Sequence, residues 1–104
     1  MSAADGPVYR ELWRSLASLL ASYTALHGLG GNHQAQVVAD DERIHVSHLD
    51  RWLRLTRTGA QIEWKMSSGT QGELELTPAG RLRGTEVEEE MDMAAECWAR
   101  ELMP

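Results

Sequence analysis

The chain has one cysteine, Cys97, in 104 residues. An internal disulfide is therefore excluded, and a single thiol fits a reducing compartment. Positive charge is short: 10 Lys and Arg stand against 16 Asp and Glu, for a net charge of −6. That balance argues against a general binder of nucleic acid or anionic membranes, because phosphate binding rests on Lys and Arg. Long apolar runs are also missing, and none approaches the roughly 18 residues that span a bilayer. The opening MSAADGP carries no basic stretch, so a cytoplasmic protein without a targeting segment is expected. No internal repeat and no low-complexity linker divides the sequence. With 42% hydrophobic residues and four tryptophans, one domain with a modest core of its own is expected.

The acidic surplus is unevenly placed. Residues 1–33 sum to zero and residues 34–83 balance. In residues 84–104 Arg100 stands alone against seven acids. A partner sensitive to charge is expected to meet that last segment.

What the chain does have is alternation. In Arg51–Met66, Leu53 and Leu55 alternate with Arg54 and Thr56. After a Thr58-Gly59 turn, Ile62, Trp64 and Met66 alternate with Glu63 and Lys65. A period of two marks a half-buried antiparallel hairpin. Its neighbours repeat the pattern. Strands are expected over about 34–39, 43–48, 51–57, 61–66 and 73–77, with Arg81–Arg83 as a short edge strand whose arginines guard against aggregation.

Both ends read as helices. Tyr9, Leu12, Trp13, Leu16, Leu19, Leu20 and Tyr23 recur every three or four residues, predicting a helix over about 7–27 that starts at Pro7, with Asp5 as a possible cap. Gly28, Gly30 and Gly31 end it. This glycine run follows a helix and leads to a strand, the reverse of a phosphate loop. Thr85-Glu86-Val87-Glu88 fits a capping box, predicting a second helix over about 86–103. Val87, Met91, Ala94, Ala95, Trp98 and Leu102 form its apolar stripe. The expected fold is an α+β two-layer sandwich: an antiparallel meander of four or five strands with both helices on one face.

Chemistry-bearing residues are sparse. His45 and His48 are three apart, which on a strand points them to opposite faces. With His27, His33 and Cys97 they form no recognisable zinc pattern, and no metal site or cofactor is expected. A small enzyme using His45 or His48 as a base remains an alternative. Glu88, Asp92 and Glu96 form an i, i+4, i+8 ladder on the last helix that could hold a hard cation weakly; a solvated face is the plainer reading. Cys97 lies on the flank of the apolar stripe, with no base arranged to activate it.

Trp52 stands out. If Leu53 and Leu55 face the helices, Trp52 faces away with Arg54, His45 and Lys65. A Trp beside an Arg on a polar sheet face has the composition of an interface anchor. The leading expectation is a non-catalytic module that binds another protein, or a second copy of itself, through this face.

Three resemblances follow from the residues quoted. Lys65-Met66-Ser67-Ser68 is similar to the KMSKS loop of class I aminoacyl-tRNA synthetases, but 104 residues are too few for that catalytic domain. Leu76-Thr77-Pro78-Ala79-Gly80-Arg81 resembles the wing-to-helix segment of winged-helix regulators, but strands are predicted where the helix-turn-helix belongs, and DNA binding is not expected. The order helix, meander, helix resembles frataxin, an iron-binding accessory protein of iron–sulfur cluster assembly. Trp52-Leu53, followed by a glycine turn and an aromatic strand, is similar to that family's central hairpin. The resemblance implies partner binding through an outward Trp52, and a metal- or small-ligand-binding alternative. It departs at the first helix, where only Glu11 falls on the acidic ridge, and in lacking an Asn-x-Gln turn before the Trp. Likeness of element order alone carries fold rather than function.

Overall fold

A computed structural model describes residues 7–27, 35–84 and 87–102. Its elements are α1 (Pro7–His27), β1 (Gln36–Ala39), β2 (Arg43–His48), β3 (Arg51–Thr58), β4 (Gln61–Met66), β5 (Gln71–Leu76), β6 (Arg81–Arg83), β7 (Glu88–Glu90) and α2 (Met91–Leu102). The strands form one antiparallel sheet in sequence order, β1 to β7. The two helices pack together on one face of it. This is the expected α+β sandwich with seven strands rather than the four or five foreseen.

Alternation produces the layer. Paired residues share a face, so Ile44 opposite Leu55, Val46 opposite Leu53, Ile62 opposite Leu74 and Leu76 opposite Leu82 make one apolar side. All of these are buried except Leu74, which is half-buried against the same cluster. Trp13, Leu16 and Leu20 of α1 and Ala94, Ala95, Trp98 and Leu102 of α2 complete the core. Of the helical stripes read from sequence, these residues and Met91 are buried, Tyr9, Leu12, Leu19 and Tyr23 are half-buried against the core, Ala99 joins the second stripe and Val87 is lost from it. Val87 is exposed and lies outside α2.

Four contacts fix the layers. Trp13 is fully buried, and its indole N–H donates to Asp40 O at 2.8 Å. Arg57 reaches over the Trp13 ring and donates to Asp41 O at 3.0 and 2.8 Å, tying the start of the meander to its central hairpin. Arg51 donates to Glu101 O at 3.2 Å, meeting the carbonyl-rich end of α2. Trp64 opposes Gly72 and tilts against Trp98, with ring centroids 5.9 Å apart. A Cβ at position 72 would lie 2.8 Å from Trp64 Nε1. Only glycine lets this tryptophan lie flat enough to meet the helix.

The turns follow their chemistry with one exception. Gly59, Gly69 and Gly80 take positive φ where the chain reverses. Leu49, at the β2–β3 turn, also has φ of 57° and is exposed. A bulky side chain in that region is strained.

Several boundaries differ from expectation. β5 begins at Gln71 rather than Glu73, because Lys65 opposite Gln71 continues the β4 ladder into what reads as a polar loop. Glu88–Glu90 is a strand, not the first turn of a helix. It pairs with β6, so Glu88 faces Arg83 at 4.0 Å and Glu90 faces Arg81 at 3.7 Å. A full antiparallel ladder outweighs a cap worth about 1 kcal/mol. Arg81–Arg83 is consequently an inner strand, and its arginines serve cross-strand pairs rather than an edge. The expected cap at Asp5, the glycine stop at 28–31, Gln34 of the first strand and the Thr85 cap lie outside the described residues. Among the described residues, no helix is long and apolar enough to cross a membrane.

Two tests follow. Gly72→Ala is expected to cost about 1–3 kcal/mol through overpacking, read as a lower urea midpoint. Pairing it with Trp64→Leu should recover part of the loss, and no recovery would show that the indole is not the obstacle. Asp40 Oδ1 accepts the N–H groups of Glu42 at 2.8 Å and Arg43 at 2.7 Å. These bonds, with the nearby Arg43 charge, hold its carboxyl below the ordinary carboxylate value. Its contribution to stability is therefore full above about pH 4 and is lost as pH falls through the depressed folded value. Asp40→Ala should lower Tm at neutral pH and flatten the acid side of the Tm profile. An equal drop at pH 7 and pH 2 would show that the carboxylate is not the cause.

Candidate functional site

The face away from the helices carries the candidate residues. Because Ile44, Val46, Leu53 and Leu55 point inward, His45, Ser47, Trp52 and Arg54 point outward. Register then builds a row across five strands: Val38 opposes His45, His45 opposes Arg54, Arg54 opposes Lys65, and Lys65 opposes Gln71. Trp52 stands in the adjoining row, opposite Ser47. Its N–H donates to Ser67 Oγ at 3.1 Å, and its carbonyl accepts the Ser67 N–H at 3.0 Å.

The Trp52 side chain is half-buried. The Arg54 guanidinium carbon lies 5.1 Å from its ring centroid. The His45 ring stacks on it at 6.4 Å and 20°. A cation beside a partly exposed indole adds about 0.5–1 kcal/mol, which favours this side-chain arrangement. Trp52, Arg54, His45 and Lys65, the chain's only lysine, thus form one patch.

Beside the patch the charges are mismatched. Arg54 faces Lys65, and in the next row Glu63 faces Glu73. Among the described residues, none of these four makes an ion pair within 4.0 Å, whereas Arg83 reaches Glu75 at 3.2 Å. Like charges directly opposite on a sheet repel. A shallow cleft of about 360 Å³ lies over both rows, lined by Arg54, Thr56, Glu63, Lys65 and Glu73 among others. It offers cations and anions side by side to whatever docks there. Val38 and the Glu63–Glu73 opposition were not singled out from sequence. Counting register outward from the β4–β5 turn around Gly69 could have found the second.

The other candidates are not brought together. His45 points outward, while His48 opposes Arg51 on the helix side. His33 lies outside the described residues. Glu88 belongs to β7, so Glu88, Asp92 and Glu96 form no helical ladder, and Glu96 instead pairs with Arg100 at 2.7 Å. Among the described residues, no three His, Cys, Asp or Glu side chains gather as a metal group. Cys97 is exposed. Partial burial, then Glu101 and Glu89, push its thiol above the ordinary value, which disfavours the nucleophilic thiolate.

The architecture is that of an α+β two-layer sandwich bearing an aromatic and cationic patch on its open face. No protein-family model matches the chain, and neither curated proteins nor solved structures give a significant match.

Glu73→Lys should turn a repulsive cross-strand pair into an attractive one. The expected gain is about 0.2–1 kcal/mol, read as a higher urea midpoint. A lower midpoint would mean that Glu73 already has a favourable setting in the free protein.

Proposed function

We propose that the chain is a non-catalytic protein–protein interaction module, acting in the cytoplasm, that docks another protein on its outer sheet face. The observation that supports this most is Trp52, held between Arg54 and His45 on an otherwise polar face. A half-buried tryptophan with little freedom left to lose is a low-cost anchor. The Arg54–Lys65 pair, with no acidic partner among the described residues, suits a carboxylate on the docking surface. Glu63 and Glu73 suit a basic group one row away. Burying these charges against opposite ones would relieve the repulsion carried by the free sheet, so charge pattern selects the partner and Trp52 supplies affinity.

Affinity capture from the source cell, with wild type, Trp52→Ala and Lys65→Glu as baits, tests the reading. The specific partner should be retained at least tenfold less by Trp52→Ala, the size of an interface hot spot of about 1.4 kcal/mol or more. Lys65→Glu should weaken capture more at low salt than at high salt. Identical recovery on all three baits would end the proposal.

A further inference from the structure

The two edges of the sheet are treated differently. β7 presents three glutamates, a common guard against strand addition. β1 is Gln-Val-Val-Ala, with no charge and no proline. Val38 on its outer side is 68% exposed.

Register shows which backbone groups of β1 are free. Asp40 N–H donates to Arg43 O at 2.9 Å, so that pair is a bonded one. Bonded pairs alternate in an antiparallel ladder, so Val38 with His45 and Gln36 with Ser47 are bonded too. The next ladder agrees. Arg57 N–H donates to Glu42 O at 2.7 Å, which assigns Ile44, Val46 and His48 to β3 and leaves Arg43, His45 and Ser47 for β1. Val37 and Ala39 therefore aim their N–H and C=O groups off the edge, where no described residue meets them.

We propose that two copies of the chain pair along β1 about a two-fold axis through Val38. Antiparallel pairing about that axis sets Val37 opposite Ala39 of the second copy, and Ala39 opposite its Val37. All four free donors and all four free acceptors are then satisfied. Val38 faces its own counterpart in the close, non-bonded position, where Cα atoms sit about 4.5 Å apart and side chains touch. Gln36 meets Asp40 of the second copy, an amide against a carboxylate rather than two like charges.

The helix beside the edge fits the same occupant. Ala17 and Arg14 line a groove of about 340 Å³ with Ala39, Asp40 and Asp41. At 100° per residue, Ala21 and Ala25 continue the Ala17 flank, and both are exposed. The flank toward α2 instead carries Leu12, Leu19 and Tyr23. Ala17, Ala21 and Ala25 leave room for the second α1 beside an uncharged edge strand, Arg14 at the end of the groove is paired with Asp41 at 3.2 Å, and the larger Val37 of the second copy fills the groove beside Ala39. The product is a continuous sheet with all helices on one side and two Trp52 patches joined by the paired Val38 residues. This inference stands apart from the outer-face reading, because it uses the edge and not Trp52.

Sedimentation equilibrium of the full chain from about 1 µM to about 1 mM tests it. A monomer–dimer equilibrium is expected. Ala39→Pro removes one outward N–H without touching the β2 ladder, and Val38→Lys sets two cations face to face on the axis. Each should weaken the dimer at least tenfold while Trp52→Ala leaves it unchanged. In a Cys97→Ser background, Val38→Cys should oxidise to a covalent dimer, since paired Cα atoms at that separation fall within disulfide range. Val37→Cys, which meets Ala39 rather than itself, should not. If Ala39→Pro fails to fold, the cysteine pair decides. A monomer at every concentration, dimers indifferent to Val38→Lys, or dimers abolished by Trp52→Ala would overturn the assignment.

Discussion

Peptide groups in a sheet must pair in register, and side chains along a strand must alternate. Together these two constraints divide the whole molecule. Once Leu53 and Leu55 are buried, every residue from β1 to β7 is assigned to the helix side or the open side by counting pairs. The core tolerates no slip, because a shift of one residue would send Ile44, Val46 and Ile62 to water and Arg54 and Glu63 to the helices. Trp13 shows how tightly the two layers are joined. Its ring fills the interior while its one polar atom finds the Asp40 carbonyl at 2.8 Å, so burial of the indole leaves no donor unmatched.

The same constraint explains the open face. Trp52 is outward because its neighbours in sequence are inward, and Arg54 and His45 lie beside it. Arg54 is opposite Lys65 because the Gly59 turn sets the β3–β4 register, and Glu63 is opposite Glu73 because the turn around Gly69 sets that of β4–β5. A sheet selected for stability alone would set opposite charges in those places. β5, β6 and β7 do so, with Arg83 between Glu75 and Glu88. The contrast within one sheet, between the like-charge pairs of β3, β4 and β5 and the ion pairs around Arg83, is what motivates the docking proposal.

Much of this architecture was legible before any coordinates. The hairpin at Gly59, the apolar stripe from Tyr9 to Tyr23 and the outward set of Trp52, Arg54, His45 and Lys65 all came from local period. The misreadings have one physical origin. Glu88–Glu90 satisfies a helix-start pattern, and local preferences of a few tenths to about 1 kcal/mol favour it there. Pairing with β6, which ends two residues before Thr85, supplies more, and a strand-to-strand ladder is not registered by a helix-start pattern. Gln71 looked like loop for the same reason: its partner, Lys65, lies across a turn.

By itself, then, the sequence determined the class of fold, the faces of the strands and the identity of the buried residues. Alternation and helical period are local, and each can be counted along a single strand or turn. Tertiary structure alone decided where the sheet stops, which strands form its edges, and which charges face each other. Those outcomes depend on ladders formed between consecutive strands across their turns, and the same residues could have met different partners had one turn been a residue longer.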